Sequence, residues 1–293
     1  MCIAAYDSLR YTRAEACRTV RAAGSQIAAE PDRLLSQIRG ISFVFGPFHR
    51  QLRGLSCFTE GSPGHSGPSR GRNSMKPLFR DRQEAGRALA SSLRARTTVL
   101  TEPVVLALPR GGVPVAFEVA RSLRAPLDVC VVRRLEVPGS DGIVMGALAS
   151  DGVLVLDQKT IDAFEVSSYD LTRVVRKQAR ELTRREKAYR GEFAAIPVAG
   201  RTAILIDDGI AATSALTTAI SAIRARRPER LIVASPVAAE SSYWQLLGLV
   251  DDAICLEIPT PLHAVSSWYA EFSEVSDLDV RQLHAQARSY PLS

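Results

Sequence analysis

Residues 201–223 read RTAILIDDGIAATSALTTAISAI. The stretch opens on a short apolar run, Ala203-Ile204-Leu205-Ile206, which has the composition of a strand buried on both faces of a sheet. Two carboxylates, Asp207 and Asp208, stand where the run ends. Residues 209–214 carry almost no side-chain bulk, so a ligand can approach the backbone closely. A helix follows, with Thr213 or Ser214 at its cap position. A helix N-terminus beneath a turn of free N–H groups attracts anions. In open α/β sheets, ligands lie at the carboxyl ends of the strands. The pattern therefore predicts an anionic ligand, with a phosphate on the turn and hydroxyls or a metal facing the aspartates.

The rest of the chain repeats this unit. Residues 104–108, VVLAL, form a second buried-strand pattern. Pro109-Arg110-Gly111-Gly112 breaks it, and residues 113–124 have a helical pattern. Residues 127–132 predict a third buried strand. Consecutive strand–helix–strand units require a parallel sheet, because parallel neighbours are joined by crossovers. Residues 133–146 are expected to be a polar, glycine-bearing loop. Asp151-Gly152 between apolar runs predicts a hairpin. Residues 167–190 predict a long helix with Leu171, Val174, Val175, Gln178, Leu182 and Tyr189 on its inner stripe. Strands at 231–236 and 253–258, a helix at 240–249 and a closing helix at 278–288 complete the sheet pattern.

Charge and composition narrow the function classes. The 293 residues carry a net charge of +6, but residues 1–74 hold ten Arg against five acidic residues. Residues 75–293 are thus close to neutral, which gives no support to nucleic-acid binding by the folded part. No apolar run reaches membrane-spanning length, so no membrane association is expected. The five cysteines include no C-x-x-C pair, and Cys130 and Cys255 lie in strand-like runs. Buried reduced thiols and a cytoplasmic protein are expected. The four histidines show no metal-ligand spacing.

Residues 61–74, GSPGHSGPSRGRNS, have linker composition. Residues 1–74 are therefore expected to be a poorly ordered extension, or to lie outside a native protein that starts at Met75. Residues 75–293 are expected to form one α/β domain. At 79, 82, 85, 86, 89 and 93 a mostly apolar stripe opens that domain.

The run ILIDDGIA resembles the phosphoribosyl-pyrophosphate (PRPP) loop of type I phosphoribosyltransferases, and the order of the two glycine turns matches that family over about residues 75–288. The resemblance implies a parallel-sheet type I fold with a small hood, a PRPP-dependent transferase, and a magnesium ion bound mainly through PRPP. In it, Asp207 and Asp208 hold the ribose hydroxyls or the metal's water shell. Gly209, Ile210, Ala211, Ala212, Thr213, Ser214 and Ala215 bind the 5-phosphate. Arg110, Gly111 and Gly112 face pyrophosphate, and Arg133 and Arg134 lie on the flexible loop. Trp268 and Tyr269, with Phe272, resemble the aromatic stretch of the hood on the acceptor side, and the acceptor implied is a nucleobase. The chain departs from the family's Thr-Gly-x-Thr at residues 212–215, and Glu136 stands where the subgroup has glycine. A noncatalytic relative that binds a nucleotide or phosphate is the alternative expectation.

Overall fold

The computed structural model describes residues 42–45, 77–96 and 100–289. The expected linker and nearly all of the expected N-terminal extension lie outside these residues, as do Cys2, Cys17 and Cys57. In chain order the described strands and α-helices are β1 (Ser42–Phe45), α1 (Arg82–Arg96), β2 (Val104–Ala107), α2 (Gly112–Leu123), β3 (Leu127–Val129), β4 (Val132–Glu136), β5 (Val144–Ala149), β6 (Val153–Leu156), α3 (Gln158–Ala163), α4 (Ser168–Arg190), β7 (Thr202–Ile206), α5 (Ser214–Ala225), β8 (Arg230–Val237), α6 (Glu240–Leu247), β9 (Asp252–Glu257) and α7 (Asp277–Ser289).

The central sheet has the order β3-β2-β7-β8-β9, and every pairing in it is parallel. Alternate residues of each strand feed opposite layers. Val105, Ala107, Ile204 and Ile206 join the core under α1, α2, α4 and α7. Val104, Leu106, Ala203 and Leu205 join a second core with Leu216, Ala219, Ile220 and Ile223 of α5. Because both faces are covered, these strands read as continuous apolar runs rather than alternating ones.

The chain steps from β2 outward to β3 and later from β7 outward to β9, so the order reverses between β2 and β7. Such a reversal opens a crevice at the carboxyl ends of the two strands. Ala107 is in register with Ile206, and Leu108 N donates to Ile206 O at 2.8 Å. The turns after β2 and β7 therefore leave the sheet side by side.

One expected strand is divided. The run at 127–132 leaves the central sheet after Val129, and Val132 begins β4 of a second sheet, ordered β1-β6-β5-β4. Cys130 N still bonds Ala107 O, so the break follows it. β5 pairs with β6 in an antiparallel hairpin, as the Asp-Gly signal predicts, and β4 also pairs antiparallel with β5. β1, the part of the expected N-terminal extension that falls among the described residues, runs parallel to β6.

A small third layer joins the two ends of the domain. Phe79 N donates to Trp268 O at 3.0 Å, and Ala270 N donates to Phe79 O at 2.8 Å. The rings of Phe79 and Tyr269 stand 5.6 Å apart, and those of Tyr269 and Phe272 5.0 Å apart. This is the small hood, built from residues before α1 and after β9. Cys130 and Cys255 are buried thiols, and burial pushes Cys255 up to about 12.

Candidate active site

The turn after β2 must pass close to the turn after β7, and its residue types allow this. The Pro109–Arg110 peptide bond is cis. A β-carbon on Gly111 would lie 2.2 Å from Asp208 Oδ2, and one on Gly112 would lie 2.7 Å from Ile206 O. Only glycine permits this approach. Gly112 also opens α2, so the positive end of that helix's dipole begins beside the acidic pair and favours negative charge there, while the Gly112 and Val113 amides donate to Leu108 O and Arg110 O.

Asp207 and Asp208 sit on the first residues beyond β7. Asp207 N donates to Ala234 O at 3.4 Å, and Asp208 N donates to Asp207 Oδ1 at 2.9 Å. Both side chains are partly buried. Burial, and then the Asp208 carboxylate beside it, push the Asp207 carboxyl well above the usual range. The pair is thus short of positive charge.

Arg82 supplies part of it. Its Nε donates to Asp208 Oδ2 at 2.7 Å, and its Nη1 donates to Ser273 O at 2.7 Å. The guanidinium carbon lies 3.7 Å from the centre of the Phe272 ring. Tyr269 OH donates to Asp208 O at 2.6 Å, and burial pushes the phenol far up, so it remains a donor. Neither contact is foreseen from sequence, although a lone arginine on the apolar stripe of α1 is its signal.

The turn at 209–215 leads into α5 on small residues, without the expected cap bond. Ile210 N donates to Val237 O and Ala239 N to Ile210 O, which anchor the start of the turn against β8. Ala211, Ala212, Ser214 and Ala215 are exposed. Thr213 precedes α5 as expected, but its side chain makes no cap bond. It donates instead to Gln245 Oε1 at 2.9 Å. None of residues 209–215 takes the left-handed conformation, so the turn is unstrained without its glycine.

Arg110, Arg133 and Arg134 have other partners. Arg110 Nη2 donates to Glu274 Oε1 at 2.5 Å, and Nη1 lies 3.7 Å from Asp277 Oδ1. Its turn touches Asp208 through Gly111, while its guanidinium is held by the segment after the hood. Arg133 and Arg134 lie on β4 rather than in a loop. Arg133 Nε donates to Gln178 Oε1 at 2.9 Å, and Arg134 Nη2 lies 3.7 Å from Glu136 Oε1. The loop is shorter than expected, because hairpin pairing of Val137 with Ile143 closes it near its tip. Trp268 is half-buried and Tyr269 buried.

Among the described residues, no group of three or more His, Cys, Asp or Glu is placed to hold a metal. The hard oxygens of Asp207 and Asp208 nevertheless suit a magnesium ion that keeps most of its waters and leans on few carboxylates. A cation there would relieve the crowding that raises Asp207. Among the described residues, no helix is long and apolar enough to cross a membrane.

The sequence pattern of a phosphoribosyl transferase domain matches residues 80–257. Two Mycobacterium tuberculosis proteins, from strains CDC 1551 / Oshkosh and H37Rv, are each named "putative phosphoribosyl transferase". Each is 40% identical over 203 residues, 69% of this chain. The chain spans 45% of the length of these curated relatives. The crystal structure of TT1426 from Thermus thermophilus is 36% identical, with a TM-score of 0.65. The match covers 71% of this chain and 98% of that one.

Proposed function

The chain belongs to the phosphoribosyl transferase family, and from that premise we propose that it moves the 5-phosphoribosyl group of PRPP to a nucleobase nitrogen and releases pyrophosphate. The observation that carries this reading is the contact of the two turns, with Gly111 against Asp208 at the point where strand order reverses. One ligand can then meet a glycine turn, a helix N-terminus and two carboxylates together.

Each residue has a role that follows from its chemistry. The Gly111 amide and the positive end of the α2 dipole stabilise charge gathering on the departing pyrophosphate. Arg110 joins them once its guanidinium leaves Glu274. The amides of residues 209–215 other than Ile210, whose N–H is held by Val237 O, and the hydroxyls of Thr213 and Ser214 receive the 5-phosphate. Asp207 and Asp208 orient the ribose hydroxyls and would hold a magnesium ion through its waters. When bound, that ion neutralises pyrophosphate oxygens. Trp268 and Tyr269 border the acceptor side, and the reaction belongs to the cytoplasm.

A noncatalytic reading is favoured by one observation, the engagement of Arg110 by Glu274 and Asp277. Pyrophosphate release from PRPP, measured with magnesium against a panel of bases, separates the two. Release with at least one base, reduced about 10²–10³-fold in Asp207→Asn and Asp208→Asn, supports transfer. PRPP binding without release from any base supports the sensor reading.

A further inference from the structure

We propose that Arg82 is a positioning residue for the reaction, holding the Asp208 carboxylate against the pyrophosphate turn and fastening the hood to it. The inference rests on the PRPP reading above and names a residue which that reading does not use.

The geometry sets Arg82 apart from the surface arginines of the chain. Its side chain retains 10% exposure and that of Asp208 14%, so the pair is largely withdrawn from water. In such surroundings the interaction is far less screened than at the surface. Each face of the guanidinium group has a distinct task. The Nε edge grips Asp208 Oδ2, Nη1 grips the Ser273 carbonyl, and the planar face stacks on Phe272. A planar fork can serve all three at once, whereas an ammonium cannot.

The bond from Arg82 is to the same oxygen, Oδ2, that comes nearest to Gly111. Rotation of the carboxylate would therefore either break the ion pair or bring an oxygen against the turn. Tyr269 fixes the backbone of the same residue from the hood. Asp208 is thus held at both its carboxylate and its carbonyl by residues that lie outside the sheet. Asp207 has no such cation of its own, so the two carboxylates are not equivalent. One is fixed by the protein, while the other stays available to the ligand.

The hood is tied by the same contact. Ser273 and Phe272 belong to the segment after β9, and Arg82 belongs to the first turn of α1. Loosening Arg82 loosens the cover over the acceptor side and the acid beneath it together.

The test is PRPP titration in the presence of magnesium, with steady-state kinetics, on the full chain and its variants. Arg82→Gln is expected to weaken PRPP affinity on the order of 10-fold or more, the size of a lost charge-assisted hydrogen bond. It should lower kcat as well as raise KM. Arg82→Lys should recover part of the affinity, because an ammonium reaches Asp208 but cannot also hold Ser273 and stack on Phe272. In the double variant with Asp208→Asn, the Arg82→Gln change should have a smaller effect than in the wild type, because only the tie to Ser273 and Phe272 is left to lose. Wild-type affinity in Arg82→Gln, or effects that multiply in the double variant, overturns the proposal. If Arg82→Gln does not fold, Arg82→Lys and Tyr269→Phe carry the test: each should bind PRPP several-fold more weakly, and wild-type binding by both overturns it. Wild-type protein that binds no PRPP overturns the underlying reading, and the proposal with it.

Discussion

Asp128 on β3 and Asp208 after β7 each accept a hydrogen bond from a withdrawn arginine at 2.7 Å. Their surroundings differ. Asp128 is one acid among several donors. Arg190 Nε and Nη2, the Ile196 amide and its neighbour's amide Val129 N all donate to it, and His284 Nε2 lies 3.4 Å away. Burial alone would raise this carboxyl, but the His284 ring, the Arg190 charge and bonds, and the Ile196 amide bring it down to about 2. At the other site two acids share one arginine, and burial and mutual repulsion push Asp207 up. A carboxylate supplied with four donors joins β3, α4 and α7 as a structural lock. An undersupplied one is a place prepared for a further cation or hydrogen-bond donor.

The comparison is broken most forcefully at the lock. Arg190→Met leaves the Asp128 charge buried with two backbone amides and the His284 ring but without its cation, and is expected to cost about 3–5 kcal/mol in denaturant unfolding. The acid limb should also change. The Asp128 carboxyl is brought down to about 2 in the folded chain from an ordinary value near 3.8. The stability it supplies is complete above the upper value and lost as the pH falls toward the lower one. In Arg190→Met the folded value moves back toward or above 3.8, so this acid-dependent loss should shrink or reverse, which unfolding free energies measured against pH check.

The active-site half is sharpened by Gly111→Ala. The added methyl would stand 2.2 Å from Asp208 Oδ2, and the carboxylate is not free to yield while Arg82 holds it. Overpacking of this kind costs about 1–3 kcal/mol, here expected mainly as weaker PRPP binding rather than as unfolding. Substituting alanine for Gly139, where no atom lies within 4 Å, is the control for glycine loss at positive φ, and should leave PRPP binding unchanged.

The smallest effect concerns the sign of the pH dependence. A carboxyl raised on folding opposes stability once ionised, so the wild-type chain should lose stability as the pH rises from the ordinary carboxylate range through the raised Asp207 value. Asp207→Asn should flatten that slope. Unfolding midpoints measured against pH in both proteins check it.

These two clusters were unequally legible in the sequence. Strands such as 203–206 stand out because burial on both faces removes every polar residue, and Asp207 and Asp208 stand out because they follow one. Asp128 sits inside a similar apolar run, LDVCVV, and its partner Arg190 closes a helix whose other arginines face water. Nothing local distinguishes that arginine from Arg184 or Lys187, since its burial is set by the distant β3 and α7. The same run hides the passage from one sheet to the next after Cys130, because Val131 and Val132 are apolar on both sides of the change. Arg82 was visible as a polar residue on an apolar stripe, but its partner, 126 residues away, was not. The small-residue turn is legible in position, but the expected cap bond is not made, because Gln245 of α6 claims the Thr213 hydroxyl.

The central claim is that the turn carrying Gly111 and the acids at 207 and 208 grip one phosphorylated sugar between them. Calorimetric titration of the full chain with PRPP and magnesium tests it most directly. Saturable one-site binding in the wild type, with affinity lowered at least 10-fold in the Asp207→Asn, Asp208→Asn double variant, is the predicted result. No heat of binding at millimolar PRPP, or equal affinity in both proteins, would contradict it.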